Sequence, residues 1–71
     1  MSYKIFLDIM AQEDPRLCGI LSTAKSADTQ GNTLRITLPS RYSADFLKYE
    51  TKKIASVAGK AYGHEMNVEL R

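Results

Sequence analysis

The hydrophobic residues of this chain follow two different periods, and each change of period marks a predicted element. Residues 3–12 read as a helix. At ~100° per residue, Tyr3, Ile5, Phe6, Leu7, Ile9 and Met10 cover a broad apolar arc, and Lys4, Asp8 and Gln12 gather opposite it. Ser2 supplies its N-cap. The arc is wider than one face of a small domain needs, so Ile5 or Ile9 is expected to meet the second helix or a partner. Asp14-Pro15 then restarts the chain. Asp as N-cap and Pro at the first helical position are a specific start signal, because Pro lacks the N–H that would be orphaned there. Leu17, Ile20, Leu21 and Ala24 form the i, i+3, i+4, i+7 stripe of a short second helix. Gly19 lies off that stripe and is expected to admit a close approach of the first helix.

The period then shortens to two. Residues 25–29 are weakly patterned and suit an edge strand. Gln30-Gly31-Asn32 supplies the positive-φ position of a tight turn. Residues 33–38 are the clearest strand, with Leu34, Ile36 and Leu38 on one side and Thr33, Arg35 and Thr37 on the other. Such alternation belongs to a sheet with one wet face and one covered by helices. Pro39 stops the strand, and Ser40 caps the next helix.

Residues 41–62 return to helical spacing. Tyr42, Phe46, Leu47, Ile54, Val57, Ala58 and Ala61 share one face, with Arg41, Lys48 and Lys52 stacked opposite. Lys53 and Lys60 are expected nearer Tyr49 and Tyr42. Gly63 fits a left-handed C-cap, and Met66, Val68 and Leu70 alternate as a last strand. The expected fold is α+β in the order ααββαβ: a small three-stranded sheet with helices packed on one face. If the last two strands are parallel neighbours, the long helix is their right-handed crossover.

Glu50 breaks this scheme, because it falls within the apolar face between Leu47 and Ile54. A buried unpaired carboxylate would cost several kcal/mol. Three arrangements remove the conflict. The helix is interrupted near residues 49–51 and its face shifts phase; or Glu50 lies beyond the sheet edge in water near Lys53; or it meets a basic group on a partner.

Composition narrows the class of protein. Seventy-one residues make a single domain, and one this small buries only roughly 60% of its unfolded surface. Little volume is left for a deep pocket, which counts against a small-molecule enzyme. With 44% hydrophobic and 25% charged residues, the composition is that of an ordinary globular protein. No apolar run approaches the ~20 residues that span a bilayer. No signal-peptide pattern opens the chain. The one cysteine, Cys18, cannot form an internal disulfide, as suits a reducing cytoplasm.

No reaction centre can be assembled from the remaining residues. His64, the single histidine, follows the capping Gly63 and reads as solvent-exposed. Cys18 lies at the margin of a helical stripe and reads as a packing thiol. One His and one Cys cannot build a structural zinc site. Asp8, Glu13 and Asp14 read as solvation and capping, not as a magnesium cluster. The glycines do not form a phosphate loop. No catalytic residue, cofactor or metal site is expected. The stripe of Arg41, Lys48 and Lys52 is a solvated face, a contact for an acidic protein, or a weak nucleic-acid contact; the net charge of +2 does not choose between them.

The order and wording of these segments resemble the C-terminal globular region of the gamma/tau subunit of bacterial DNA polymerase III. The residues that carry the resemblance are Tyr3, where that family usually has Trp; Pro15, Leu17, Gly19 and Leu21; Gly31, Asn32, Leu34 and Ile36; and Ala61, Tyr62 and Gly63 before Val68. The stretch from Asn32-Thr33-Leu34 to Pro39-Ser40-Arg41-Tyr42 is also similar to the N-terminal domain of the replication initiator DnaA, although the tryptophans usual in that domain are missing here. Both resemblances imply a KH-like interaction domain of the replication machinery. The GxxG backbone grip of a true KH domain is not matched by Gly59-Lys60-Ala61-Tyr62-Gly63, whose spacing differs.

The gamma/tau resemblance further implies that the chain, residues 1–71, is one interaction module of a longer clamp-loader ATPase subunit serving a DNA-directed DNA polymerase. It would dock in the cytoplasm onto replisome proteins such as the polymerase catalytic subunit or the helicase. Tyr49, with Lys48, Lys52 and Arg41, is the expected contact set, since an exposed aromatic beside cations is the composition of an interface anchor. The apolar arc of the first helix leaves self-association into a homo-oligomer open.

Overall fold

A computed structural model describes residues 3–71, so the expected Ser2 cap lies outside the described residues. Helix α1 (Tyr3–Glu13) leads directly into α2 (Pro15–Leu21). The predicted start signal forms at their junction: Asp14 is extended, its Oδ1 accepts from the Arg16 amide at 3.2 Å, and Pro15 opens the helix. Phe6 and Met10 of α1 and Leu17 and Leu21 of α2 are fully buried. Tyr3 stacks on Phe6 with ring centroids 5.2 Å apart and donates its hydroxyl hydrogen to the Leu21 carbonyl at 2.7 Å. Cys18 is half-buried, its Sγ 3.4 Å from the Leu7 carbonyl oxygen.

Gly19 does not play its expected part. It is exposed, and a Cβ built there would meet nothing within 4 Å. Off-stripe spacing turned this glycine to solvent, not toward α1. Of the wide arc on α1, Ile5 is exposed, while Leu7 and Ile9 pack at the edge of the core.

Strands β1 (Ser26–Gln30) and β2 (Thr33–Thr37) form an antiparallel hairpin in which Gln30 faces Thr33. Gly31 takes φ 60° in the two-residue connection, a conformation that needs no Cβ. The β2 alternation is as read: Leu34 and Ile36 are fully buried, and Thr33, Arg35 and Thr37 are half-buried. Strand β3 (Asn67–Leu70) pairs parallel to β2, giving the sheet order β1-β2-β3. Pairing runs past the strand ends, with Leu38 N–H donating to the Arg71 carbonyl at 2.8 Å and Arg71 N–H to Ile36 at 2.9 Å.

The long helix is interrupted. After the Ser40 cap, whose Oγ accepts from the Ser43 amide at 3.3 Å, α3 spans only Arg41–Leu47. A 3₁₀ turn covers Lys48–Glu50, and α4 (Thr51–Tyr62) comes next. Gly63 closes α4 at φ 82°, as its left-handed cap requires. Taking α3 and α4 as halves of one bent helix, the molecule is a small α+β domain of three helices and a three-stranded mixed sheet in the order ααββαβ. A single core cluster joins Leu34 and Ile36 of the sheet to Phe6, Met10, Leu17, Leu21, Leu47, Ile54, Val57, Ala58 and Ala61.

The interruption corrects the apolar face read for residues 41–62. Ile54, Val57, Ala58 and Ala61 are buried as expected, and so is Leu47, but Tyr42 and Phe46 are exposed. Apolar spacing had joined two half-helices whose buried sides differ in phase. Lys53 ion-pairs with Asp14, at 3.2 Å, and Lys60 with Glu13, pinning α4 to the α1–α2 junction.

Candidate docking surface

Of the seven residues of α3, only Leu47 is buried. Such a short helix cannot hold itself by propensity; its Ser40 cap and the Leu47 anchor fix it. With Leu47 inward, Tyr42 and Phe46 stand one turn apart on the outside, and Tyr49 continues the row on the 3₁₀ turn in the i, i+4, i+7 pattern of one helical face. Their exposures are 87%, 47% and 81%. Taking ~150–250 Å² per aromatic side chain, they leave on the order of 400 Å² of aromatic surface in water. That is within the range at which a patch on a monomer is commonly functional.

Glu50 closes the 3₁₀ turn at φ −116°, ψ 15°, outside helical geometry. The break lifts its carboxylate from the line of Leu47 and Ile54 and leaves it half-buried. There it lines a cavity of about 450 Å³ together with Arg16, Asp45, Phe46 and Tyr49. Of the three arrangements open from sequence, the interrupted helix is the one the chain adopts.

Asp14 anchors the far side of this cavity through Arg16. Its carboxylate is buried, accepting from Arg16 Nε and Nη2 at 3.3 and 3.2 Å and from Lys53 Nζ at 3.2 Å. The Arg16 hydrogen bonds hold Asp14 well below the usual carboxylate range, at about 2, against the opposing effect of burial. Arg16 is raised in turn, first by its hydrogen bonds to Asp14 and last by the charge of Glu50.

The four residues expected as a contact set are only partly brought together. Lys48 Nζ sits over the Tyr49 ring, 5.3 Å from its centroid, a cation–π geometry. Lys52 instead lines a second groove, of about 370 Å³, with Ala55, Ser56, Gly59, Glu65, Met66 and Asn67. Arg41 is exposed in the first turn of α3. Tyr42 and Phe46 are exposed in the same stretch and were missed, because their spacing matched the core stripe. The one signal that could have found them was the Glu50 conflict, since a phase shift there frees the residues before it.

Other chemistry is sparse. Among the described residues, no three His, Cys, Asp or Glu side chains stand close enough to hold a metal ion, and no helix is long and apolar enough to cross a membrane. His64 is exposed, with Nδ1 3.1 Å from the Glu65 carbonyl oxygen. Tyr3 titrates above its ordinary value, chiefly because it is buried, with smaller contributions from Tyr62 and Cys18. The chain matches no protein-family model, no curated protein and no solved structure.

Proposed function

We propose that this chain is a non-catalytic docking domain of the bacterial replisome, KH-like in fold, of the kind found at the C-terminal end of the gamma/tau clamp-loader subunit of DNA polymerase III. The observation that carries the docking role is the exposed row Tyr42, Phe46 and Tyr49, with Lys48 over the last ring. A domain this small gains little by holding three aromatic rings in water unless something covers them, and aromatics beside cations dominate the energetics of protein interfaces. The assignment to the replisome rests on the resemblance in sequence, which the element order ααββαβ, the Pro15 helix start and the Gly63 cap support. The DnaA N-terminal domain is the alternative parent, with the same docking role. In either case the domain acts inside the cell and leaves catalysis to other parts of the machinery.

The test is a titration of the labelled domain against the polymerase III catalytic subunit and the replicative helicase. Saturable binding to one of them, lost in Phe46→Ala with the fold intact, is the expected result. Absence of association with any replication protein would sink the reading. Binding that spares Phe46 would move the docking surface elsewhere.

A further inference from the structure

The docking surface is not uniformly apolar, and its charges specify a partner more closely than its rings do. Two carboxylates, Asp45 and Glu50, line the cavity beside Phe46 and Tyr49. Neither belongs to any ion pair among the described residues. The one cation in the cavity lining among the described residues, Arg16, already commits its guanidinium to Asp14 through two hydrogen bonds, although the charge of Glu50 also acts on it. Lys48 lies over the Tyr49 ring and not against either acid. The cavity lining therefore holds two aromatic rings and two carboxylates that belong to no ion pair among the described residues.

We propose that this cavity seats a basic anchor: an Arg or Lys side chain on an apolar-faced segment of a partner protein, lying against Phe46 and Tyr49 and paired with Asp45 and Glu50. The inference rests on the docking reading and names the chemistry of its partner. Three considerations select this occupant. A guanidinium or ammonium satisfies both the ring faces and the carboxylates, since aromatic faces attract cations and carboxylates accept charge-assisted hydrogen bonds. An acidic segment would meet Asp45 and Glu50 directly, and a nucleic-acid phosphate would do the same, although Arg41 and Lys48 stand nearby. A second copy of this chain, packed patch to patch about a two-fold axis, would bring Asp45 and Glu50 of both copies to the same interface.

The experiment uses three blocked model peptides that share one leucine face and differ only in carrying Arg, Gln or Glu beside it. Each is titrated into the isotope-labelled domain and followed by amide shifts. The Arg peptide is expected to move Arg16 and residues 45–50 and to bind most tightly. The paired substitution Asp45→Asn with Glu50→Gln should weaken the Arg peptide by about three- to tenfold and leave the Gln peptide unchanged. Asp45 is exposed and Glu50 half-buried, and both replacements are isosteric and polar, so the fold should survive; unchanged shifts in β2 and α4 would verify it. Equal or tighter binding of the Glu peptide overturns the proposal. So does an oligothymidylate that moves the same amides with steep salt dependence, or a concentration-dependent dimer that buries Phe46. If no peptide binds at the cavity while a replication protein is still retained through Phe46, the basic anchor falls and the docking reading stands. If that retention is also absent, both fall.

Discussion

Phe46 and Leu47 are adjacent in sequence and opposite in fate, so a pair of alanine substitutions tests the interrupted helix directly. Leu47 is fully buried and Phe46 is 47% exposed. Leu47→Ala removes a core side chain and leaves a cavity, which costs about 2–5 kcal/mol. Phe46→Ala loses about half of the ~1.5–3 kcal/mol that full burial provides, and regains several tenths of a kcal/mol from the higher helix propensity of Ala. The net cost is under about 1 kcal/mol. Tyr42, at 87% exposed, should change stability by less still. Thermal and urea unfolding followed by far-UV circular dichroism read these values, since ~1 kcal/mol shifts the midpoint of a domain this size by about 4–8 °C. Leu47→Ala is thus expected to melt at least about 10 °C lower, and Phe46→Ala within a few degrees of the parent. An unbroken helix from residue 41 to 62 would bury Phe46 with Ile54 and Val57, and its truncation would then cost about 3–5 kcal/mol. A Phe46→Ala midpoint as low as that of Leu47→Ala would therefore refute the phase shift and the exposed aromatic row with it.

The same geometry sets three further outcomes. Gly63 holds φ 82°, so Gly63→Ala should cost about 1–2 kcal/mol of left-handed strain in urea melts, whereas Gly19→Ala, in open space, should stabilise by a few tenths to about 1 kcal/mol. Asp14 is lowered from 3.8 to about 2, so its contribution is complete above the unfolded value and fades as pH falls through the folded one; acid unfolding between about pH 4 and 2 should be shallower in Asp14→Asn. Tyr3 is raised chiefly by burial, so stability should hold below its unfolded value near 10 and fall as pH rises beyond it; Tyr3→Phe should flatten that alkaline limb and cost about 0.5–1.5 kcal/mol at neutral pH for the lost bond to Leu21.

Much of the fold was legible because it is written in local chemistry. Asp14-Pro15, Ser40, Gly31 and Gly63 are residues whose side chain or φ preference is needed at one backbone position, and each sits where that need arises. Alternation fixed the buried side of β2, and the spacing of Ile54, Val57, Ala58 and Ala61 fixed that of α4. Periodicity failed where it was extended across a boundary it cannot see, and so it assigned Tyr42 and Phe46 to the core. It also could not pair Lys53 with Asp14 or Lys60 with Glu13, 39 and 47 residues apart. Those pairs are tertiary and leave no local trace. Of the expected contact set, Tyr49 and Lys48 do stand together, since an aromatic next to a cation needs no fold to be seen. The assignment of Lys52 to the same surface assumed a continuous helix.

The break at Glu50 links stability to the exposed aromatic row. A continuous apolar face through residues 41–62 would satisfy more hydrophobic area but would press a carboxylate into the core, at a cost of several kcal/mol. The 3₁₀ turn avoids that cost, and what it gives up is the burial of Tyr42 and Phe46, together worth about 3–5 kcal/mol if complete. The two sums are comparable, so a side chain at position 50 that prefers burial should tip the balance. Glu50→Leu is expected to strengthen helical amide and Cα shifts at residues 48–51 and to draw the Phe46 ring inward, seen as new ring contacts with Ile54 and Val57 in NOE spectra. It should also weaken binding at the cavity. If Glu50→Leu leaves the Lys48–Glu50 turn and the exposure of Phe46 unchanged, the turn is set by the docking of α4 on α1 through Lys53 and Lys60, and not by the carboxylate.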